Sequence, residues 1–227
     1  SRHDRSRAFA GTTHGLRSMN DSKHHPTVPP SHWILLVSAV LIFIWSGIVP
    51  SDRFNWFAET LPALLGGGLL AATYRRFRFT TVPYVLIWIF ASILMVGGHY
   101  TYAEVPIGNW ARDAFGWSRN HYDRVGHVFQ GVIPAMVGRE LLLRTSPLQR
   151  GKWLFFLCAS AALAISAAYE IFEWQYAVTF GGERADDFLG SQGDIWDAQK
   201  DMLMALLGAI GSMLLLGPLQ DRQMKQP

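Results

Sequence analysis

Six apolar stretches, each near the length needed to cross a hydrocarbon layer, leave this chain few ways to fold. They run approximately over Trp33–Val49, Phe54–Tyr74, Thr80–Gly98, His121–Leu143, Lys152–Val178 and Ile195–Leu216. A helix needs roughly 20 residues to cross such a layer. Inside it, each backbone polar group has to be satisfied within the segment, and a helix does this. The expected fold is therefore all-α, a polytopic membrane bundle of six transmembrane helices. One domain over residues 31–218 is expected, with a polar N-terminal segment over 1–30 and a short cytoplasmic tail over 219–227. Ser1–Thr27 reads as disordered, and Met19 is a candidate start that would make Ser1–Ser18 an upstream extension. The first apolar run lacks a small-residue cleavage site and reads as an uncleaved span.

Charged residues make up 16% of the 227 residues, against roughly 25% in soluble domains. No basic stripe stands apart from the loops, so nucleic acid is a poor partner; membrane lipid is the expected one. The single cysteine, Cys158, excludes an intrachain disulfide and a cysteine-based zinc site. Gly66, Gly67 and Gly68 in the second stretch are small enough to permit close helix contact. No internal repeat is visible.

Basic residues follow every second stretch: Arg75, Arg76 and Arg78, then Arg144, Arg150 and Lys152, then Arg222 and Lys225. The other connections are mixed or acidic. The positive-inside rule then places both termini in the cytoplasm.

That topology brings the polar residues within the spans to one level, the outer face. Glu59, His99, Asp123, His127, Glu170, Glu173, Asp194, Asp197 and Asp201 fall there. The pairs Asp123/His127 and Glu170/Glu173 have helical spacing, and Asp194, Asp197 and Asp201 are expected on one face of the last helix. Acids at such depth need a cation, a proton or a basic substrate. Imidazole with carboxylates suits a divalent metal: zinc, iron, manganese or magnesium. His99, Asp123, His127, Glu170, Glu173, Asp197 and Asp201 are the candidate ligands, and Glu170, Glu173 and Asp194 the candidate catalytic acids or bases. Each group has a plainer reading: Asp123 and Asp194 as helix caps, and His127 as a hydrogen-bonded core histidine. Arg139–Glu140, near the other face, reads as a structural ion pair or as Arg139 snorkelling to headgroups. Val105–Trp117 reads as a short surface helix. The glycine segments at 181–182 and 190–193 read as a flexible lid.

The runs GGHYTYAEVPIG (Gly97–Gly108), NHYDRVGHVFQG (Asn120–Gly131), YEIFEW (Tyr169–Trp174) and GDIWDAQKDM (Gly193–Met202) resemble the YjdF-type family of bacterial inner-membrane proteins, a domain of unknown function. That resemblance implies a polytopic inner-membrane protein and carries no reaction with it. A fainter resemblance is to VanZ-like membrane proteins. They have an acid on one span, a polar loop, and an Asp-x-x-x-Asn-then-Gly pattern opening the next. Glu170 and Glu173 match the first part, and Asp197, Asp201 and Gly208 the second, with Asp201 where that pattern has Asn. His99, Asp123 and His127 have no counterpart in it. It implies a link to envelope-active compounds or lipids.

The function expected from these residues is a metal-dependent membrane enzyme, hydrolase-like, acting on a lipid or small-molecule envelope substrate. An oxidative di-metal chemistry would use similar ligands. The alternatives are a cation- or proton-coupled transporter and a non-catalytic structural membrane protein.

Overall fold

The computed structural model describes residues 28–181, 189 and 191–225. The expected disorder of Ser1–Thr27, most of the glycine-flanked loop with Glu183, Arg184, Asp186 and Asp187, and the last two residues lie outside the described residues. Among those described there are seven α-helices and no strand. They are α1 (Pro30–Ser46), α2 (Arg53–Thr73), α3 (Thr81–Tyr100), α4 (Pro106–Phe115), α5 (Tyr122–Thr145), α6 (Lys152–Tyr176) and α7 (Asp197–Met224). A 3-10 turn, Tyr102–Glu104, precedes α4, and a π-helical turn, Ala177–Gly181, extends α6.

Local chemistry sets several helix ends. Prolines sit in the first turns of α1 and α4, where the missing N–H has no intrahelical partner to lose. Asp52 caps α2, accepting from the backbone N–H of Phe54 at 2.9 Å and of Asn55 at 2.8 Å. Gly116, at φ +67°, ends α4 in the left-handed region. No residue of α4 is buried, and it exposes Ile107, Trp110 and Phe115. It is the surface helix expected over Val105–Trp117.

Helix α5 is the hub: α3, α6 and α7 all pack on it, while α1 and α2 pack on α3. Of the six apolar stretches, those forming α3, α6 and α7 give helices long and apolar enough by themselves to cross a membrane; α1 is shorter. Helix α5 is more polar, and its neighbours enclose it and pair its charges. Arg139 and Glu140 on α5 are both buried, while Leu215 of α7 is 79% exposed. Polar groups inside and leucines outside are what a hydrocarbon solvent selects.

The α5–α7 contact is unusually close. A Cβ on Gly131 would fall inside the Ala205 carbonyl, and one on Gly208 inside the Val128 carbonyl. Ala135, Ala205 and Ala209 fill the same seam with no exposure. The glycines of α2 play no such part: a Cβ on Gly66, Gly67 or Gly68 meets nothing within 4 Å. The close contact expected there is absent, because α2 turns that face away from its neighbours. Gly67→Ala is therefore expected to raise thermal stability slightly, by up to about 1 kcal/mol from helix propensity alone, as read from the melting of purified protein.

One end of the bundle collects the connections rich in arginine. Arg144 Nη1 donates to the Arg78 carbonyl at 2.7 Å, and Arg150 pairs with Asp221 at 2.9 Å. Arg139 and Glu140 do not form the ion pair expected from their adjacency. Successive helical residues point about 100° apart, so Arg139 reaches Asp221 at 2.8 Å while Glu140 takes Arg144 at 2.7 Å. The opposite end holds the C-termini of α3 and α6 and the N-termini of α2, α5 and α7, and there the acidic groups meet.

Candidate functional site

The loop after α3 is built around two side chains that lean on glycines. Added Cβ atoms at Gly97 would meet the Tyr102 ring at 2.6 Å, and at Gly126 the same ring at 3.4 Å. The ring needs a residue without a side chain at 97 for its slot between α3 and α5, while a Cβ at 126 would only touch it. The Tyr102 hydroxyl donates to Glu59 on α2. Burial pushes that phenol well above its ordinary range, so it stays a donor. Gly108 gives similar room to Asn120. The buried Asn120 amide donates to the carbonyls of Ala103 at 3.0 Å and Val105 at 3.1 Å, and accepts from the Tyr122 N–H at 2.9 Å. Gln192, just before α7, clasps the Asn120 backbone at 3.0 and 2.9 Å. Asn120, not Asp123, closes the first turn of α5, and this frees Asp123 to face inward.

His127 stands at the centre. Its Nδ1 lies 2.9 Å from Gln130 Oε1 and 3.4 Å from Glu170 Oε1; its Nε2 lies 3.4 Å from Asp123 Oδ1. With Gln130 Oε1 accepting from Nδ1–H, Nε2 faces the Asp123 carboxylate, and a proton or a cation has to lie between them. Two sets of three groups share this imidazole: Asp123, His127 and Asp201, and His127, Glu170 and Glu173. Within each set, one ligand atom per residue lies within 4.8 Å of the others. Asp123, His127, Glu173 and Asp201 are buried, and Asp201 Oδ1 has no hydrogen-bond partner. Glu59 faces the same centre from α2.

A rim of ion pairs lies beside the buried groups. Arg119 pairs with Asp197 and stands 3.8 Å from Asp194 and 3.9 Å from Asp123. Arg124 pairs with Asp194 at 2.7 Å and reaches Asp197 at 3.6 Å, and Lys200 pairs with Asp194 at 2.6 Å. These three cations are concentrated on Asp194 and Asp197. Asp123 and Asp201 stand at the edge of this rim, 3.9 Å from Arg119 and 4.0 Å from Arg124, while Glu59, Glu170 and Glu173 share chiefly His127. An enclosed excess of carboxylates over cations is unfavourable unless protons or a cation offset it.

Three expected site residues stand outside the two sets, and Asp197, held in the rim by Arg119, is the first. Asp194 does not share a helical face with Asp197 and Asp201, because α7 begins only at Asp197. Asp194 lies in the preceding turn, where its carboxylate accepts from the Trp196 N–H at 3.1 Å. It closes the turn ahead of the helix and anchors the rim. His99 is not among the grouped ligands either. Its Nδ1 lies 2.9 Å from the Ser46 carbonyl of α1, and Trp45 and Tyr100 pack against its ring. It joins α3 to α1.

A cavity of about 300 Å³ opens beside the cluster, between α2, α3, α5 and α6. Glu59, Tyr102, Asp123, His127, Tyr169 and Glu173 face it at one end. The remaining wall is mostly aliphatic and aromatic.

A family model described as "Predicted membrane protein (DUF2238)" matches residues 31–222, and so takes in every group of this cluster. The chain belongs to the DUF2238 family. It is 46% identical over 190 residues to "Inner membrane protein YjdF" of Escherichia coli (strain K12), a match covering 84% of this chain and 90% of that protein. No solved structure matches it. As a DUF2238 member it is an integral membrane protein, in line with its inverted burial pattern and its resemblance to the YjdF-type family.

In this DUF2238 chain, Arg119, Arg124, Gln130, Tyr102 and Tyr169 join the cluster without being among its expected ligands or catalytic groups. Gln130 had a usable signal: it falls three residues after His127, on the same helical face. Arg119 and Arg124 read as loop and interfacial charges until the acids that face them are known. The rim makes one pH effect predictable. Lys200 first, with the Trp196 N–H and Arg124, holds the Asp194 carboxyl down to about 2. An unfolded Asp titrates near 3.9. A depressed carboxyl contributes its stability fully above the unfolded value and loses it as pH falls through the folded one. The stability gap between wild type and Asp194→Asn should thus be flat from about pH 5 to about pH 8 and shrink below about pH 4, as melting curves across that range would register.

Proposed function

We propose that this protein crosses the inner membrane six times with both termini in the cytoplasm. Its buried cluster would hold a divalent cation at the outer face for hydrolysis of an amphiphilic substrate. The arginine-rich end supports that orientation through the positive-inside rule. Helices α1, α2 and α5 complete the six alongside the three apolar ones, α5 crossing within a sheath of neighbours.

The observation that carries the metal reading is the geometry around His127 Nε2. Its 3.4 Å separation from Asp123 Oδ1 is long for a hydrogen bond. It fits two ligand atoms that are each about 2.1 Å from a tetrahedral ion, which stand about 3.4 Å apart. Asp201 Oδ1, buried and without a hydrogen-bond partner, supplies a third ligand. Gln130 acts as the outer partner that fixes the imidazole tautomer. One nitrogen and two carboxylates suit zinc, iron or manganese, and leave a position open for substrate or water.

A cation so held would lower the pKa of a bound water and polarise a phosphoryl or carbonyl oxygen. Glu170 and Glu173 lie on the opposite, Nδ1 side of His127, from which they would take up the proton of that water by way of the imidazole or an intervening water and return it to the departing oxygen. Water adds to the reacting centre, the bond to the leaving alcohol breaks, and the transferred proton ends on that alcohol. Tyr102 and Glu59 close the third side.

The test is metal content of purified protein grown and dialysed with each of zinc, iron, manganese and magnesium. About one ion per chain is expected in wild type. His127→Ala and Asp201→Asn should each weaken binding at least about a hundredfold, beyond the range seen for outer partners. Metal-free wild type under every supply, or full retention in His127→Ala, would overturn the reading. A transport role has less support, since the arginine-rich end is filled by the Arg139, Glu140 and Gln220 side chains; ion flux in proteoliposomes would revive it.

A further inference from the structure

The cavity beside the cluster has a shape more specific than its volume. Along α5 it is lined in turn by Asp123, His127 and Gln130, then by Ile133, Pro134 and Val137. These positions form one helical stripe, and 14 residues at 1.5 Å each make it roughly 21 Å long. The other helices sort their lining residues in the same direction. Helix α6 presents Glu173 and Tyr169, then Ile165; α2 presents Glu59, then Pro62; and α3 adds Leu94 and Phe90 below the Tyr102 ring. Polar groups thus gather at one end and apolar ones run away from it, on three helices independently. About 300 Å³ spread over that length makes a long, narrow slot of the kind an extended alkyl chain fills. Ile165 in its wall is 50% exposed, which leaves a sideways entrance from the bilayer.

We infer that the slot takes one alkyl chain of a single-chain amphiphile, with the polar head at His127 and the tail along Ile133 to Val137. This rests on the proposed cation site only for the chemistry of the head; the tail is read by the apolar stripe alone. From Gln130 to Val137 the apolar wall runs roughly 10 Å, about eight bonds of an extended chain. Affinity should rise up to about fourfold per added methylene while the wall is being filled. It should then level off near about eight to ten carbons, because further methylenes leave through the open side.

Two probe series in lipid nanodiscs test this with full-length protein. One uses n-alkylammonium ions with metal-free protein, whose acids attract the head unaided. The other uses n-alkyl phosphates with metal-loaded protein. Both run from about four to about sixteen carbons, a range that spans the filling of the wall. A plateau in either series supports the inference, and Val137→Trp should move it to shorter chains by about four carbons. Val137→Ala, which obstructs nothing, should keep at least the wild-type plateau and shows that position 137 tolerates change. Affinity that does not depend on chain length, or that climbs unbroken to the longest probe, would overturn the inference. So would a plateau that Val137→Trp leaves in place. If the ammonium series plateaus while phosphates fail to bind, the slot stands and the cation site falls.

Discussion

Alanine at Gly131 or Gly208 is expected to cost this protein more than any other single methyl group. Each added Cβ would land on backbone, the Ala205 carbonyl or the Val128 carbonyl, and backbone cannot swing aside as a side-chain tip can. Helices α5 and α7 would have to separate by an ångström or more, undoing the seam of Ala135, Ala205 and Ala209. Overpacking of this kind typically costs about 1–3 kcal/mol, and leucine at either position should exceed that. The loss reaches the candidate site, because α5 carries Asp123 and His127 while α7 carries Asp201. A shift of an ångström takes the third carboxylate out of ligand range. Gly131→Ala is thus expected to lower the melting temperature and to weaken divalent binding together. Gly138→Ala, on the same helix with nothing within 4 Å of its Cβ, should change neither. Equal tolerance at positions 131 and 138 would show that the two helices are free to part.

Much of the cluster was legible in the sequence for a simple reason. Once alternating basic loops set which end of each helix faces which way, the helical period does the rest. Asp123/His127 and Glu170/Glu173 each share a face by spacing, and a polar face in such a helix turns inward. Rotation about the helix axis is less legible near a terminus. His99 lies at the end of α3, where one residue of register decides whether an imidazole faces the cluster or the neighbouring α1. Asp194 was misjudged because a helix start is uncertain by a few residues. Starting α7 at Asp197 moves an apparent third acid on one face into the turn before the helix. Glycine was legible as smallness, not as contact. Gly66, Gly67 and Gly68 form the more conspicuous run, yet Gly131 and Gly208, isolated in sequence, carry the close approach. Which small residue meets another helix depends on the packing order around α5, which no single stretch encodes.

The second large effect is expected at the other end of the bundle, where Glu140 is completely buried. Its carboxylate accepts from the Thr80 backbone N–H at 2.9 Å and the Thr80 hydroxyl at 2.7 Å, from Arg144 at 2.7 Å, and from the Gln220 amide at 3.1 Å. Gln220 in turn donates to the Met136 carbonyl at 2.9 Å and accepts from Arg139 at 2.9 Å. One side chain thus ties the start of α3 and the end of α7 to α5. Glu140→Ala removes the common acceptor and leaves the Gln220 amide and the Thr80 donors enclosed without it. Arg144, 39% exposed, can turn to solvent, but each enclosed donor left without its acceptor costs about 1–3 kcal/mol. A steep fall in melting temperature and yield is expected. Glu140→Gln, which keeps one carbonyl acceptor but no charge for Arg144, should fall between that variant and wild type. Leu215→Ala, on an outward face 79% exposed, serves as the reference and should stay within about 0.5 kcal/mol. The informative comparison is with the candidate site. Glu140 lies 13 residues along α5 from His127, roughly 20 Å at the helical rise. Whatever fraction of Glu140→Gln folds should therefore bind divalent cation as wild type does. Proportionate loss of stability and metal in that variant would mean that the two ends of the bundle are not independent. The network would then be holding α5 in the register its acids require.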